Sequence, residues 1–237
     1  MMNVNNSVLT AILAVSGVAC GPFVDIGAGG EGRANLETAQ EIEVQAEARL
    51  NLANTFGDIT VLGDASRAEV LVEPTMRSDD PEAGYIEVLR DGDDIAVAIF
   101  QEDMDAEIAV DLVITTPANL GFTVATGGGA LTISGMVAAA DCEAATGDGQ
   151  VSIDIDLDGH DLDVANGQGS GDISLAIPAS TAAELTAASY AGSVEVDAAL
   201  NPDGEGYGGT FSGSLNGGGG SEINLASASG RVVVHAR

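Results

Sequence analysis

From Ile42 onward, hydrophobic and polar positions alternate with period two through most of this chain. Val151-Ser-Ile-Asp-Ile-Asp-Leu157 is the clearest run, and Ile108, Val110, Leu112 and Ile114 form another. Alternation of this kind gives a strand one apolar face and one solvated face. Glycine-containing turns punctuate the runs and share a phrase. It reads Ala-Thr-Gly-Gly-Gly-Ala-Leu-Thr-Ile from Ala125, Ala-Thr-Gly-Asp-Gly-Gln-Val-Ser-Ile from Ala145 and Gly-Ser-Gly-Asp-Ile-Ser-Leu from Gly169. Shorter copies begin at Phe56, Ala191 and Ser229, and the anchors Leu131, Val151, Ile173 and Val194 lie 20, 22 and 21 residues apart. A near-constant period of turn plus strand predicts an all-β fold: a right-handed β-solenoid, a β-helix-like stack of short strands with Gly-rich turns.

Other segments refine the picture. Strand signals run through Ile42, Val44, Leu50, Leu52, Ile59, Val61, Val70 and Val72, and Thr75 to Gly84 reads as a loop. Ile86 to Val88 and Ile95 to Ile99 flank Asp91-Gly-Asp-Asp94, a hairpin signal. Short strands such as Leu162-Asp-Val164 between full copies give each period at least two strands. Asn201 to Gly209 reads as a mobile surface loop, and Thr181 to Ala188 is the one mature segment with a helical reading. Tyr190, within a repeat phrase, is expected to be packed, whereas Tyr207 is the best candidate for an exposed tyrosine.

Composition narrows the partners. The 237 residues carry 37 acidic and 7 basic side chains, for a net charge of −30, and lysine does not occur. Such a surface repels a phosphate backbone and an anionic membrane, so nucleic acid is excluded as an expected partner. Cations, basic proteins and neutral glycans remain. Tryptophan is absent and aromatics make up 3% of the chain, which suits a narrow core of Val, Ile, Leu and Ala.

The first residues give an address. Val8 to Val18 is a short apolar run, the right size for the core of a signal peptide over residues 1–19. Gly17 and Ala19 precede Cys20 in a small-x-small pattern that resembles the lipobox of a bacterial lipoprotein. The resemblance implies a lipid anchor at Cys20, with simple secretion as the alternative. Residues 20–41 are read as anchor and flexible tether, and 42–237 as one domain. An exported protein at the cell envelope is the expected location. Cys142, the other cysteine, is either a buried apolar filler or a disulfide partner of an unlipidated Cys20.

The densest candidate chemistry is Val151 to Val164. On strands, Asp154, Asp156 and Asp158 share an outer face, and Asp161 and Asp163 repeat the arrangement one strand later. Oxygen ligands of this type fit calcium, although the spacing matches no known calcium loop. A solvated acidic face that discourages edge aggregation is the competing reading. Enzyme chemistry has little support. His160 lies in a turn, His235 lies near the C-terminus, and no Gly-x-Ser-x-Gly elbow occurs. Gly217 to Gly220 lacks the lysine of a phosphate loop and reads as a turn.

Leu50-Asn-Leu-Ala-Asn-Thr-Phe-Gly-Asp-Ile-Thr-Val61, Val110-Asp-Leu-Val-Ile-Thr-Thr-Pro-Ala118 and the ending from Gly213 to Val234 together resemble the bacterial putative-adhesin domains of the DUF4097 type. The resemblance covers roughly residues 42–234. It implies a solenoid-like all-β domain, often exported or lipid-anchored, with no catalytic set and no established cofactor. The expectation is therefore a non-enzymatic envelope module that binds an extracellular protein or glycan, or self-associates. A calcium-dependent glycan-binding module is the alternative.

Overall fold

The computed structural model describes residues 33–34, 40–43, 49–77, 84–91, 94–101, 109–167 and 170–237. The expected signal peptide and Cys20 lie outside these residues. The strands, in chain order, are β1 (Arg33–Ala34), β2 (Gln40–Glu43), β3 (Arg49–Asn54), β4 (Ile59–Asp64), β5 (Glu69–Met76), β6 (Gly84–Asp91) and β7 (Asp94–Gln101). There follow β8 (Val110–Pro117), β9 (Gly121–Thr126), β10 (Leu131–Val137), β11 (Cys142–Thr146), β12 (Val151–Asp156), β13 (Leu162–Asn166) and β14 (Ile173–Ile177). The last are β15 (Ala183–Ser189), β16 (Val194–Val196), β17 (Asp203–Tyr207), β18 (Thr210–Leu215), β19 (Ser221–Ser227) and β20 (Val232–Ala236). One 3-10 turn, Ala198–Leu200, lies between β16 and β17.

These strands form two open, mixed sheets. One runs β1-β6-β7-β3-β9-β11-β13-β19-β15-β18-β17, and the other runs β16-β20-β14-β12-β10-β4-β8-β5-β2. From β9 to β16 the chain alternates between the sheets, placing one strand in each before moving to another rung. Alternate side chains point inward. Val151, Ile153 and Ile155 of β12 meet a single apolar cluster that draws on both sheets and includes Leu50, Phe122, Leu162, Leu185 and Val234. Parallel pairing keeps the repeat in register, with Leu131 opposite Val151 and Val151 opposite Ile173.

The fourth anchor departs from that order. Val194 does not follow Ile173; Val232 lies between them, paired with both. In the other sheet β19 likewise separates β13 from β15. The Ser229 copy is as good a rung as the Ala191 copy, and residues 197–220 supply the slack that lets it arrive out of sequence order. At the opposite end β3 and β4 sit between β7/β8 and β9/β10, so the first half joins the same two sheets.

Several local expectations change. Residues 183–189 form a strand, not a helix: Ala183, Leu185, Ala187 and Ser189 are buried at period two between β18 and β19. Tertiary pairing overrides the helical preference of an alanine-rich stretch. The supposed mobile loop 201–209 contains β17, the outer strand of a hairpin with β18. The 75–84 loop starts later than expected, because β5 continues through Pro74. Among the described residues β2 pairs only as far as Val72, so the missing N–H of Pro74 leaves no gap in that described ladder. Tyr190 is 95% exposed rather than packed, and Tyr207 is 91% exposed. Paired backbone also reaches into the stretch read as tether, at β1 and β2.

The corner between β9-type and β10-type strands explains the glycine phrase. A Cβ on Gly129 would lie 2.2 Å from the Gly57 carbonyl oxygen, one on Gly149 1.9 Å from that of Gly129, and one on Gly171 1.8 Å from that of Gly149. Gly230 and Gly192 continue the column in that order. Only Gly57 and Gly129 of this column have positive φ, so close approach between rungs, more than a special conformation, excludes a side chain. Beside the glycines runs a buried polar column, Asn54, Thr126, Thr146, Asn166, Ser227 and Ser189, in register across six strands. Its side chains donate to the carbonyls that the glycines leave bare. Thr146 Oγ1 reaches Gly129 O at 3.1 Å, Asn166 Nδ2 reaches Gly149 O at 2.7 Å, and Ser189 Oγ reaches Gly230 O at 2.6 Å. A buried carbonyl without a partner is costly, so the two columns depend on one another.

Candidate functional site

The same register that stacks the core also stacks charge on the outside of the eleven-stranded sheet. Cys142 opposite Leu162, Leu162 opposite Ile223, and Glu222 opposite Glu184 together place Asp141, Asp161, Glu222 and Glu184 in one column across four rungs. Two residues further along each strand runs Glu143, Asp163, Asn224 and Thr186. Neighbouring strands lie about 4.8 Å apart, so the first column sets four carboxyl groups over about 14 Å. Arg49 stands at its far end. Gly121, which occupies the intervening rung, has no side chain, and Arg49 Nη2 passes it to donate to the Asp141 carbonyl at 2.7 Å. His160 Nδ1 lies 3.9 Å from Asp141 Oδ1.

Several of these acids also have a structural duty. Asp141 Oδ1 accepts the Asp161 N–H at 3.1 Å, and Asp161 Oδ1 accepts the Glu222 N–H at 2.7 Å. Where the chain enters the other sheet the device recurs. Asp111 accepts from Asp58 N–H, Asp58 from Ala130 N–H and Asp172 from Arg231 N–H, at 2.7–2.9 Å. A carboxylate just ahead of a strand, or at its start in the case of Asp111, thus binds the backbone donor of the next rung. This is the physical content of the Gly-Asp-Ile phrase at Gly57 and Gly171. Arg77 pairs with Asp111 and Asp58, and its hydrogen bond to Asp111 is the main reason its already high pKa is raised.

The five aspartates singled out from sequence do not share one face. Asp154 and Asp156 lie on β12 in the nine-stranded sheet, whereas Asp163 lies on β13 in the eleven-stranded sheet. Asp158 occupies the turn between them with φ of 46°. The chain crosses from one sheet to the other within Leu157 to Asp161, so period-two reasoning could not extend across that corner. Each has a partner. Arg237 Nε forms an ion pair with Asp154 Oδ1 at 2.8 Å, at an angle too poor for a hydrogen bond. Asp156 Oδ1 accepts from Asp158 N–H at 3.3 Å, and Asp163 Oδ1 from Asn224 Nδ2 at 3.0 Å. Among the described residues no group of three or more His, Cys, Asp or Glu is arranged to hold a metal ion.

Asp141, Glu143, Glu184 and Glu222 were missed by local reading. Their signal was present in the repeats: Asp-Cys-Glu-Ala from Asp141 and Asp-Leu-Asp-Val from Asp161 align at 20 residues. Glu222 and Glu184 needed the tertiary order. Cys142 is buried and free; burial is the main cause that pushes its thiol up to about 11.

No family model matches the sequence, and no curated protein matches it either. Solved structures do. A crystal structure described as a "putative cell adhesion protein" of Clostridium sporogenes is 14% identical, with a TM-score of 0.58, over 84% of this chain and 99% of its own. A "putative adhesin" of Bacteroides fragilis is 10% identical, with a TM-score of 0.28, over 84% and 96%. One from Parabacteroides distasonis is 10% identical, with a TM-score of 0.26, over 83% and 96%. The first likeness shows a shared fold.

Proposed function

We infer that this chain is an exported, non-enzymatic interaction module of the adhesin type, displayed at the bacterial cell envelope on a lipid attached to Cys20. The observation that carries the reading is the pair of outward columns headed by Asp141 and Glu143. They form an exposed, acidic strip on a parallel ladder, suited to presenting a surface rather than enclosing a substrate. The alternation of strands between two sheets supports a β-solenoid as the scaffold. The fold shared with a protein described as a "putative cell adhesion protein" supports the same role by analogy. The partner is a basic or neutral envelope or extracellular protein or glycan, since an anionic one would be repelled.

Arrays of extracellular proteins and polysaccharides probed with the full chain test this reading. Retention that falls in a Glu143→Gln/Asp163→Asn/Glu184→Gln variant supports it; retention unchanged by that variant moves the partner to another face. Turnover of any polysaccharide would overturn the non-enzymatic assignment. The anchor has its own check. Labelling with an alkyne fatty acid should mark the full chain and be lost in Cys20→Ser, whereas an unlabelled parent chain would mean simple secretion.

A calcium-dependent glycan-binding function is the second reading. It is favoured by carboxylates on adjacent rungs, Asp141 with Asp161 and Glu143 with Asp163, facing away from the core. Its original set, Asp154, Asp156, Asp158, Asp161 and Asp163, would act as two separate groups, one per sheet.

A further inference from the structure

The out-of-order rung has a consequence for association. Coils β13/β14 and β15/β16 are made first, and the C-terminal coil β19/β20 is then held between them. The arrangement at the other end is different. There β3/β4 precedes its neighbours in sequence, so β7/β8 and β9/β10 can be added to its two free sides. Residues 221–237 occupy a slot whose two walls both come from earlier sequence and both pair with them in parallel. Strands β7, β8 and β18 also lie between earlier strands, but each has an antiparallel wall, β6, β5 and β17 respectively. Their fit to both walls is extensive. β19 pairs with β13 from Ile223 to Ser227 and with β15 from Ser221 to Ser227. β20 pairs with β14 from Val232 to Ala236 and with β16 from Val232 to Val234. Ile223, Leu225, Val232 and Val234 are all buried.

The segment leading into this coil is built to swing. Asn216, Gly217, Gly218, Gly219 and Gly220 all have positive φ, from 50° to 90°. Four consecutive glycines give the hinge little preference for one path. The hinge starts from β18, on one side of β15, and delivers β19 to the other side. Five residues, 178–182, join β14 to β15 across this slot, the same number that joins β12 to β13 on directly adjacent rungs. An extended five-residue link reaches about 17 Å, more than two rungs, so the slot can stay open without its coil.

We propose that the C-terminal coil, residues 221–237, is exchangeable, and that its second acceptor is the slot of another copy of this chain. This goes beyond the display reading and does not depend on it. Slot and donor belong to one chain, so exchange generates closed dimers or head-to-tail strings. The tether makes self-insertion dominant in dilute solution, where the donor's effective concentration is of the order of millimolar. Crowding of anchored chains on a surface favours exchange.

The test uses two chains in a Cys20→Ser/Cys142→Ala background, one carrying Ser174→Cys and the other Val233→Cys. These positions are Cα partners on adjacent rungs. Unfolded together and refolded under mild oxidant, they can form a 174–233 disulfide only across two molecules. A heterodimer band that rises with chain concentration, and is absent when Val233→Cys is mixed with Thr60→Cys, is the expected result. The double variant Ser174→Cys/Val233→Cys should close the bond internally. Internal closure without any heterodimer would overturn the proposal. If the internal bond does not close, a fluorescent peptide of residues 221–237 present during refolding of the unaltered chain decides it. Co-elution with the chain supports exchange, and peptide that stays free overturns it.

Discussion

Gly149 and Asp197 show how much depends here on single atoms. A methyl group on Gly149 would meet the Gly129 carbonyl oxygen at 1.9 Å, and a backbone oxygen cannot move aside without shifting its whole rung. Gly149→Ala should lower stability by about 1–3 kcal/mol, an overpacking cost, read from the urea midpoint. Gly159→Ala is the control: nothing lies within 4 Å of its added methyl, and only the positive φ is penalised. Asp197 accepts the Ala199 N–H at 2.9 Å and the Ala236 N–H at 3.3 Å, and the Ala199 bond is the main cause holding its carboxyl below the ordinary 3.8. The unfolded chain therefore takes up this proton at higher pH than the folded one. The stabilisation is present above 3.8 and is lost as pH falls through the lower folded value. Asp197→Asn should lower stability in the neutral region, where the carboxylate contributes, and flatten the acid limb of a stability-against-pH curve below about pH 4, leaving the most acid end little changed. For Cys142, the neutral buried thiol should resist a disulfide reagent at neutral pH until the chain unfolds.

At the scale of elements, the rung order makes a sharp distinction between two valines that look alike in sequence. Val194 and Val232 begin matching phrases, but Val232 is fully buried between β14 and β16, whereas Val194 is half-buried on the strand that ends its sheet. Val232→Ala should cost about 2–3 kcal/mol and Val194→Ala about 1 kcal/mol or less, measured by chemical denaturation. Equal costs would place both valines in equivalent rungs and contradict the inserted order. The strand assignment of β15 rests on similar ground. Ala-Glu-Leu-Thr-Ala-Ala-Ser has no β-branched residue except Thr186, and its local preference is helical. What makes it a strand is an open ladder on each side, β18 antiparallel and β19 parallel.

For the whole molecule, a net charge of −30 sets conditions on stability. Repulsion along the Asp141 to Glu184 column is partly relieved by salt, since its exposed charges extend over about 14 Å, beyond the Debye length of about 8 Å at ordinary ionic strength. The unfolding midpoint should rise with sodium chloride. At matched ionic strength, calcium should give the same rise if the columns are a solvated face. An additional, calcium-specific rise that disappears in Asp161→Asn/Asp163→Asn would instead show an ion bound by the folded state. Three of the four sheet ends carry antiparallel strands beyond the parallel rungs, β5 and β2, β6 and β1, and β18 and β17, whereas the nine-stranded sheet ends on the short parallel strand β16. The outer strand β17 carries Asp203 and Glu205, charges of the kind that oppose edge-to-edge joining.

Period-two alternation, recurring at 20 to 22 residues, by itself determined the all-β class, the inward positions of β10, β12 and β14, and their mutual register. The physical reason is that a one-residue slip would turn every apolar side chain outward. The β6–β7 hairpin was legible in Asp91-Gly-Asp-Asp94 for a similarly local reason. Only the tertiary structure decided that residues 221–237 sit between earlier rungs, because any copy of the phrase satisfies the same ladder and local sequence does not rank them. Only the tertiary structure, too, separated Asp154 from Asp163 and brought Asp141, Asp161, Glu222 and Glu184 into one column. Charge on a strand is read locally, but the face it joins depends on which sheet the chain has crossed into and which rung lies beside it.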